Sequence, residues 1–156
     1  AQELKGEIIL PSFTFVASAN AIVTSGCEPV FADIEYDTCN IDPQSIREKI
    51  TEKTVAIMPV HYAGQSCRMD EIMEIAEEKD LAVIEDSAEC VGGTYKKKKA
   101  GTFGTGCFSF YPTKNMTTGE GGMVTTNDEK LIQKIATLKA HGITKTAHER
   151  KKDKKQ

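Results

Sequence analysis

Short runs of apolar and β-branched residues alternate along this chain with stretches in which apolar residues recur every three or four positions. EIILP at 7–11 predicts a strand, and TFVASANAIVTSG at 14–26 predicts a helix of small and apolar residues closed by Gly26. EPVFADI at 28–34 returns as a strand. In NIDPQSIREKI at 40–50, Asp42 suits an N-cap, Pro43 suits the first helical position, and Ile46 and Ile50 share a face. TVAIMPVH at 54–61 is a continuous apolar strand. A glycine turn follows, then RMDEIMEIAEEKD at 68–80, with Met69, Ile72, Ile75 and Ala76 at helical spacing. LAVIED at 81–86 predicts another buried strand.

Uninterrupted apolar strands separated by amphipathic helices mark a mostly parallel sheet covered by helices on both faces, so the expected fold class is α/β. Past residue 86 the alternation weakens into the glycine-rich GGTYKKKKAGTFGTG, in which Lys96–Lys99 are expected to form a solvated turn. Strands are predicted at CFSFY (107–111) and GMVTTN (122–127). Asp128 then opens a last helix with Leu131, Ile132, Ile135 and Leu138 on one face and Gly142 past its end. The segment 145–156 carries six basic residues against two acidic ones, without an apolar period, and is expected to be a disordered basic tail.

Composition changes this picture little. The chain has 156 residues, 39% hydrophobic and 28% charged, with a net charge of −3, which fits one soluble core without a bias towards nucleic acid. No apolar run approaches the roughly 20 residues that cross a bilayer, so no membrane partner is expected. The start lacks Met and the regions of a signal peptide, and reads as cut rather than targeted. The five cysteines are widely spaced, without a C-x-x-C pair, which suggests neither a disulfide framework nor a metal site and fits a reducing cytoplasm.

Ligands of open α/β sheets sit outside the carboxyl ends of the strands, where His61, Asp86 and Lys114 are all expected. Lys114 is the unusual one, because it follows an apolar strand and precedes a threonine-rich turn with Gly119, Gly121 and Gly122. An isolated ammonium there must be solvated, paired or used chemically.

The segment VIEDSAECVGGTYKKKKAGTFGTGCFSFYPTKNMTTGEGGMVTTND, with PSFTFVASANAI and PVHYAGQ, resembles the DegT/DnrJ/EryC1/StrS family of sugar aminotransferases. These are pyridoxal-phosphate enzymes of the aspartate aminotransferase fold, and the resemblance runs from about residue 6 to about residue 144. It implies that Lys114 is the catalytic residue, joining the cofactor covalently and later moving a proton between the substrate carbon and the cofactor. Asp86 matches the carboxylate that faces the pyridine nitrogen and keeps it protonated. Phe15 falls where the family stacks an aromatic on the pyridine ring. Ser109 matches a hydroxyl donor to the phosphate, and Glu89 stands near the ring hydroxyl where many relatives have Gln or His. His61 fits a family pattern as a structural or supporting residue.

The same resemblance implies an amino-acid donor, glutamate by analogy, a nucleotide-sugar acceptor and a homodimer. It casts residues 1–144 as the central part of the cofactor-binding large domain, truncated at both ends and lacking the smaller C-terminal domain. As a piece, it is expected to bind cofactor poorly and to be inactive. Two alternatives stand beside the aminotransferase. One is a sugar dehydratase of the same family, in which a histidine replaces the lysine. The other is an inactive remnant that keeps the fold.

Overall fold

The computed structural model describes residues 4–143. Among these, residues 4–127 form one compact unit and residues 128–143 belong to another. The expected basic tail at 145–156 lies outside the described residues.

The larger unit is built on a six-stranded sheet. Its strands are β1 (Glu7–Pro11), β2 (Glu28–Ala32), β3 (Thr54–Ile57), β4 (Ala82–Asp86), β7 (Thr105–Ser109) and β8 (Gly122–Thr125), in the order β2-β1-β3-β4-β7-β8. All neighbours run parallel except β7 and β8, which pair antiparallel. Helices α1 (Val16–Thr24), α2 (Pro43–Lys49) and α3 (Met69–Lys79) link the parallel strands. The α/β class and the mostly parallel sheet therefore stand.

Alternation along the strands assigns the two faces. Ile9, Ile57 and Val83 pack on one side with Ile46 of α2 and with Met69, Ile72 and Ile75 of α3. Ile8, Leu10, Ala56 and Met58 point to the other side, against Ile22 of α1. Both faces are thus covered, which explains why the strands read as unbroken apolar runs. Helix α2 begins as its sequence dictates, with the Asp42 side chain accepting from the Gln44 N–H at 2.9 Å and Pro43 in the first turn.

Several boundaries differ from the sequence pattern for local reasons. The strand expected over 54–61 stops at Ile57, because Pro59 has no N–H to donate to the ladder; pairing resumes only as a bridge between Val60 and Asp86. The strand expected at 107–111 lies at 105–109, since Gly106 lets the chain pass against Gly101, whose backbone a β-carbon would meet at 2.5 Å. The four lysines belong to the small antiparallel pair β5 (Thr94–Tyr95) and β6 (Lys98–Lys99). Lys96 and Lys97 form its two-residue turn with φ of 47° and 70°, the left-handed pair that a tight hairpin requires. They are exposed, as a solvated turn should be.

The second unit holds helix α4 (Glu129–Lys139), capped by the Asp128 carboxylate, which accepts from the Lys130 and Leu131 N–H groups at 2.9 and 3.0 Å.

Candidate active site

The carboxyl ends of β1, β3, β4 and β7 lie at one edge of the sheet, and the segments that leave them surround a cavity of about 260 Å³. From the segment after β1 come Phe13, Thr14 and Phe15; from the segment after β3 come Val60 and Tyr62. Asp86 and Glu89 come from β4 and its exit, and Lys114 from the turn after β7. Four of the five candidate cofactor residues, Phe15, Asp86, Glu89 and Lys114, thus line one hollow. Ser109 does not line it; its Oγ lies at the end of β7 and accepts from the Tyr111 N–H at 3.3 Å.

Lys114 owes its place to the turn that puzzles in the sequence. The Lys114 N–H donates to the Tyr111 carbonyl at 3.0 Å, and Thr118 and Gly121 tie back to Phe110. Gly121 and Gly122 are required by crowding, since added β-carbons would come within 2.5 Å of the Thr118 hydroxyl and 2.9 Å of the Phe108 carbonyl. The lysine side chain is only 19% exposed, and its Nζ donates to Glu89 Oε1 at 3.2 Å. Glu89 Oε2 accepts from the Ala63 N–H at 3.0 Å. That amide bond, with further help from Lys114, holds the Glu89 carboxyl below the usual carboxylate range despite partial burial. A second hollow of about 240 Å³, lined by Ala63, Thr113 and Asn115, shares Glu89 and Lys114 with the first.

Asp86 is oriented by neighbours that the sequence did not reveal. Ser18 on α1 donates to Asp86 Oδ2 at 2.7 Å, and the Ala88 N–H donates to Oδ1 at 3.1 Å. Because Ser18 has given its only proton to the carboxylate, the Thr14 hydroxyl, 2.9 Å away, must be the donor to Ser18. A signal existed: Ser18 is a polar residue one turn before the buried Ile22, on the face that should have been apolar. Phe15, the N-cap of α1 in extended backbone, leaves 74% of its surface exposed, so it is not packed into the core. Phe13 meets Tyr62 edge-on, with ring centroids 5.0 Å apart.

His61 is fully buried and faces away from this hollow. Its Nδ1 accepts from the Cys67 N–H at 3.1 Å, which leaves Nε2 to carry the proton and donate to Glu85 Oε2, also at 3.1 Å. Glu85 also accepts from the N–H groups of Gly101, Phe103 and Gly104 at 2.7, 2.8 and 2.8 Å. Burial opposes the charge of Glu85, but the bonds from His61, Gly104 and Gly101 outweigh it and hold the carboxyl below its ordinary range. A depressed carboxylate stabilises the fold above its unfolded pKa, and that contribution is lost as pH falls through the lower, folded value. Glu85→Gln presents an amide N–H₂ where donors converge, leaving buried N–H groups without an acceptor, and should cost about 1–3 kcal/mol in denaturant unfolding at neutral pH. A loss under about 1 kcal/mol would show that the four bonds are not worth what a buried ionic acceptor should be.

An amine, a carboxylate oriented by hydroxyls and a free aromatic face around one hollow is a donor set for a planar, electrophilic ring. The sequence profile of the DegT/DnrJ/EryC1/StrS aminotransferase family matches residues 1–155. This chain belongs to that family. The match runs through the segment read as a basic tail, beyond the described residues. GDP-perosamine synthase of Caulobacter vibrioides is 49% identical over 138 residues, covering 88% of this chain and 37% of the relative. The solved structure of Helicobacter pylori PseC, an aminotransferase involved in the biosynthesis of pseudoaminic acid, superposes with a TM-score of 0.87 at 39% identity, over 90% of this chain and 38% of that one. NtdA from Bacillus subtilis, solved with PMP bound as cofactor, gives a TM-score of 0.77 at 38% identity over 85% of this chain and 30% of that one. The chain therefore spans between 30% and 38% of the length of these relatives.

Proposed function

We propose that the whole protein is a pyridoxal-phosphate-dependent aminotransferase that moves the amino group of an amino acid, glutamate, to a nucleotide-linked keto sugar. Residues 1–144 would be the middle of its cofactor-binding domain, in a homodimer working in a reducing cytoplasm, for which the free thiols among the described residues are suited. The observation that carries this reading is that Lys114 and Asp86, far apart in sequence, line the same hollow at the carboxyl edge of a parallel sheet.

The residues present fit the cofactor. When bound, pyridoxal phosphate supplies a carbonyl that an amine can join and a ring that takes up an electron pair. Lys114 offers the amine, its side chain largely withdrawn from solvent at the rim of the hollow, and the neutral form of such an amine is the nucleophile that joins a carbonyl. Asp86, kept as an acceptor by Ser18 and Ala88, would hold a proton at the ring nitrogen. The exposed ring of Phe15 offers a stacking face, and Glu89 a carboxylate beside the amine. Ser109 accepts from the Tyr111 N–H, and its own hydroxyl proton would be the one offered to a phosphate.

A sugar acceptor fits the charge of the site. Arg47 pairs with Glu78 and Arg68 with Glu35, and neither lines the hollow, so none of the described arginines offers a two-pronged clamp for a carboxylate substrate. The relationship to GDP-perosamine synthase favours amination of a nucleotide-linked 4-keto hexose. The test is direct: the whole protein, with pyridoxal phosphate and glutamate, should convert such a sugar to its amino derivative and release the 2-oxo acid, read by mass spectrometry. Water loss from the sugar without nitrogen gain would assign a dehydratase instead.

A further inference from the structure

The segment from His61 to Cys67 offers the hollow only a tyrosine ring and one backbone amide, yet it is held from several directions. His61 donates its backbone N–H to the Asp86 carbonyl at 3.0 Å, and the Cys67 N–H returns to the His61 ring. Between these ties lies a single 3₁₀ turn, Tyr62–Gly64, whose Ala63 sits at φ 50° and ψ 27°. That left-handed conformation costs a residue with a β-carbon about 1–2 kcal/mol, and it persists only where the surroundings enforce it. Ala63 is also the residue whose N–H reaches Glu89.

What enforces the turn is a side chain remote in sequence. Asn40 is 1% exposed. Its Oδ1 accepts from the Tyr62 N–H at 3.0 Å, a donor shared with the Val60 carbonyl, and its Nδ2 donates to the Gln65 carbonyl at 3.1 Å. An N–H on one side and a carbonyl on the other fix which way the amide points. The Gln65 N–H closes the loop onto the Tyr62 carbonyl at 2.9 Å. Asn40 therefore spans the two ends of the turn that presents the Ala63 amide.

We propose that Asn40 is a positioning residue for the reactive amine: by clamping the Tyr62–Gln65 turn it holds the Ala63 N–H on one Glu89 oxygen, and so fixes where the other oxygen keeps the Lys114 ammonium. The functional weight of this rests on Lys114 being the amine of the proposed reaction, but the linkage itself is a property of the cofactor-free protein. A buried asparagine that only stabilised the fold would leave the chemistry of Lys114 unchanged once the protein is folded.

Trace acetylation of the whole, cofactor-free protein with acetic anhydride at one pH, followed by peptide mass spectrometry, measures this. Lys97, on the exposed hairpin turn, is the internal standard. Glu89→Gln removes the counter-charge and sets the full effect, a rise in Lys114 labelling relative to Lys97 of about two- to fivefold, as expected for loss of a partly exposed ion pair. Asn40→Ala should approach that rise. Asn40→Asp, of the same size, loses the donor to Gln65 but still accepts from Tyr62, and should give a smaller rise than Asn40→Ala. Unchanged labelling in the Asn40 variants that melt cooperatively overturns the proposal, and so does unchanged labelling in Glu89→Gln. Since no cofactor is added, failure of the aminotransferase assay leaves this result intact, and the two claims fall separately.

Discussion

Lys114→Ala is expected to abolish amino transfer by the whole protein and to remove the visible absorbance that pyridoxal phosphate gains when it joins a lysine. Two functions disappear together on the proposed assignment, the covalent tether and the proton carrier. Loss of a positioned general acid–base alone lowers rates by about 10²–10⁴-fold, and the tether adds to that. The fold should tolerate the change. Among the contacts of the Lys114 side chain is one ion pair, to Glu89, whose other oxygen keeps the Ala63 amide. Such a partly exposed pair is worth about 0.2–1 kcal/mol, so the variant should melt within a few degrees of the parent. A variant that still develops the visible band would remove Lys114 from the chemistry and direct attention to another amine.

The class of the fold was legible because its signals are local. Val, Ile and Ala runs such as 54–58 and 82–84 form strands buried on both faces, and the stripe of Met69, Ile72, Ile75 and Ala76 faces the sheet as its spacing requires. Helix caps at Asp42 and Asp128 were legible for the same reason, since a cap involves only neighbours in sequence. Strand ends were not. Pro59 ends β3 early, and the slip of β7 towards residue 105 depends on the approach of Gly106 to Gly101, a contact between separate segments.

The site divides in the same manner. Lys114 and Asp86 could be singled out as charged residues at the ends of apolar strands, and the family resemblance gave them roles. Their supports could not be read that way. Ser18 meets Asp86 across 68 positions, Asn40 meets Gln65 across 25, and His61 meets Glu85 across 24. Glu85 in particular looks like one half of an exposed acidic pair in the sequence ED. The alternation of β4 sends it under the glycine loop at 101–104 while Asp86 faces the hollow. One strand thus sends adjacent carboxylates to opposite places: one collects amides and a histidine under the glycine loop, and the other lines the hollow.

Asp86→Asn separates charge from shape at that second carboxylate. The hydrogen bonds around it can reverse without moving an atom far. The new side-chain carbonyl can accept from the Ala88 N–H, its amide can donate to Ser18, and the Ser18 proton can turn to Thr14 Oγ1, so each polar group keeps a partner. Stability should therefore change by no more than about 1 kcal/mol. Turnover should fall much further, because a neutral amide cannot hold a proton on a pyridine nitrogen as a carboxylate can. Removing a preorganised electrostatic group of this kind costs about 10²–10³-fold in kcat. Cofactor binding through Lys114 should survive, so the visible band should remain while amino transfer nearly stops. The comparison that decides is kcat against Tm: an Asp86→Asn protein that melts like the parent and keeps more than about a tenth of its turnover would show that Asp86 only positions backbone, and that the ring's charge is controlled from elsewhere.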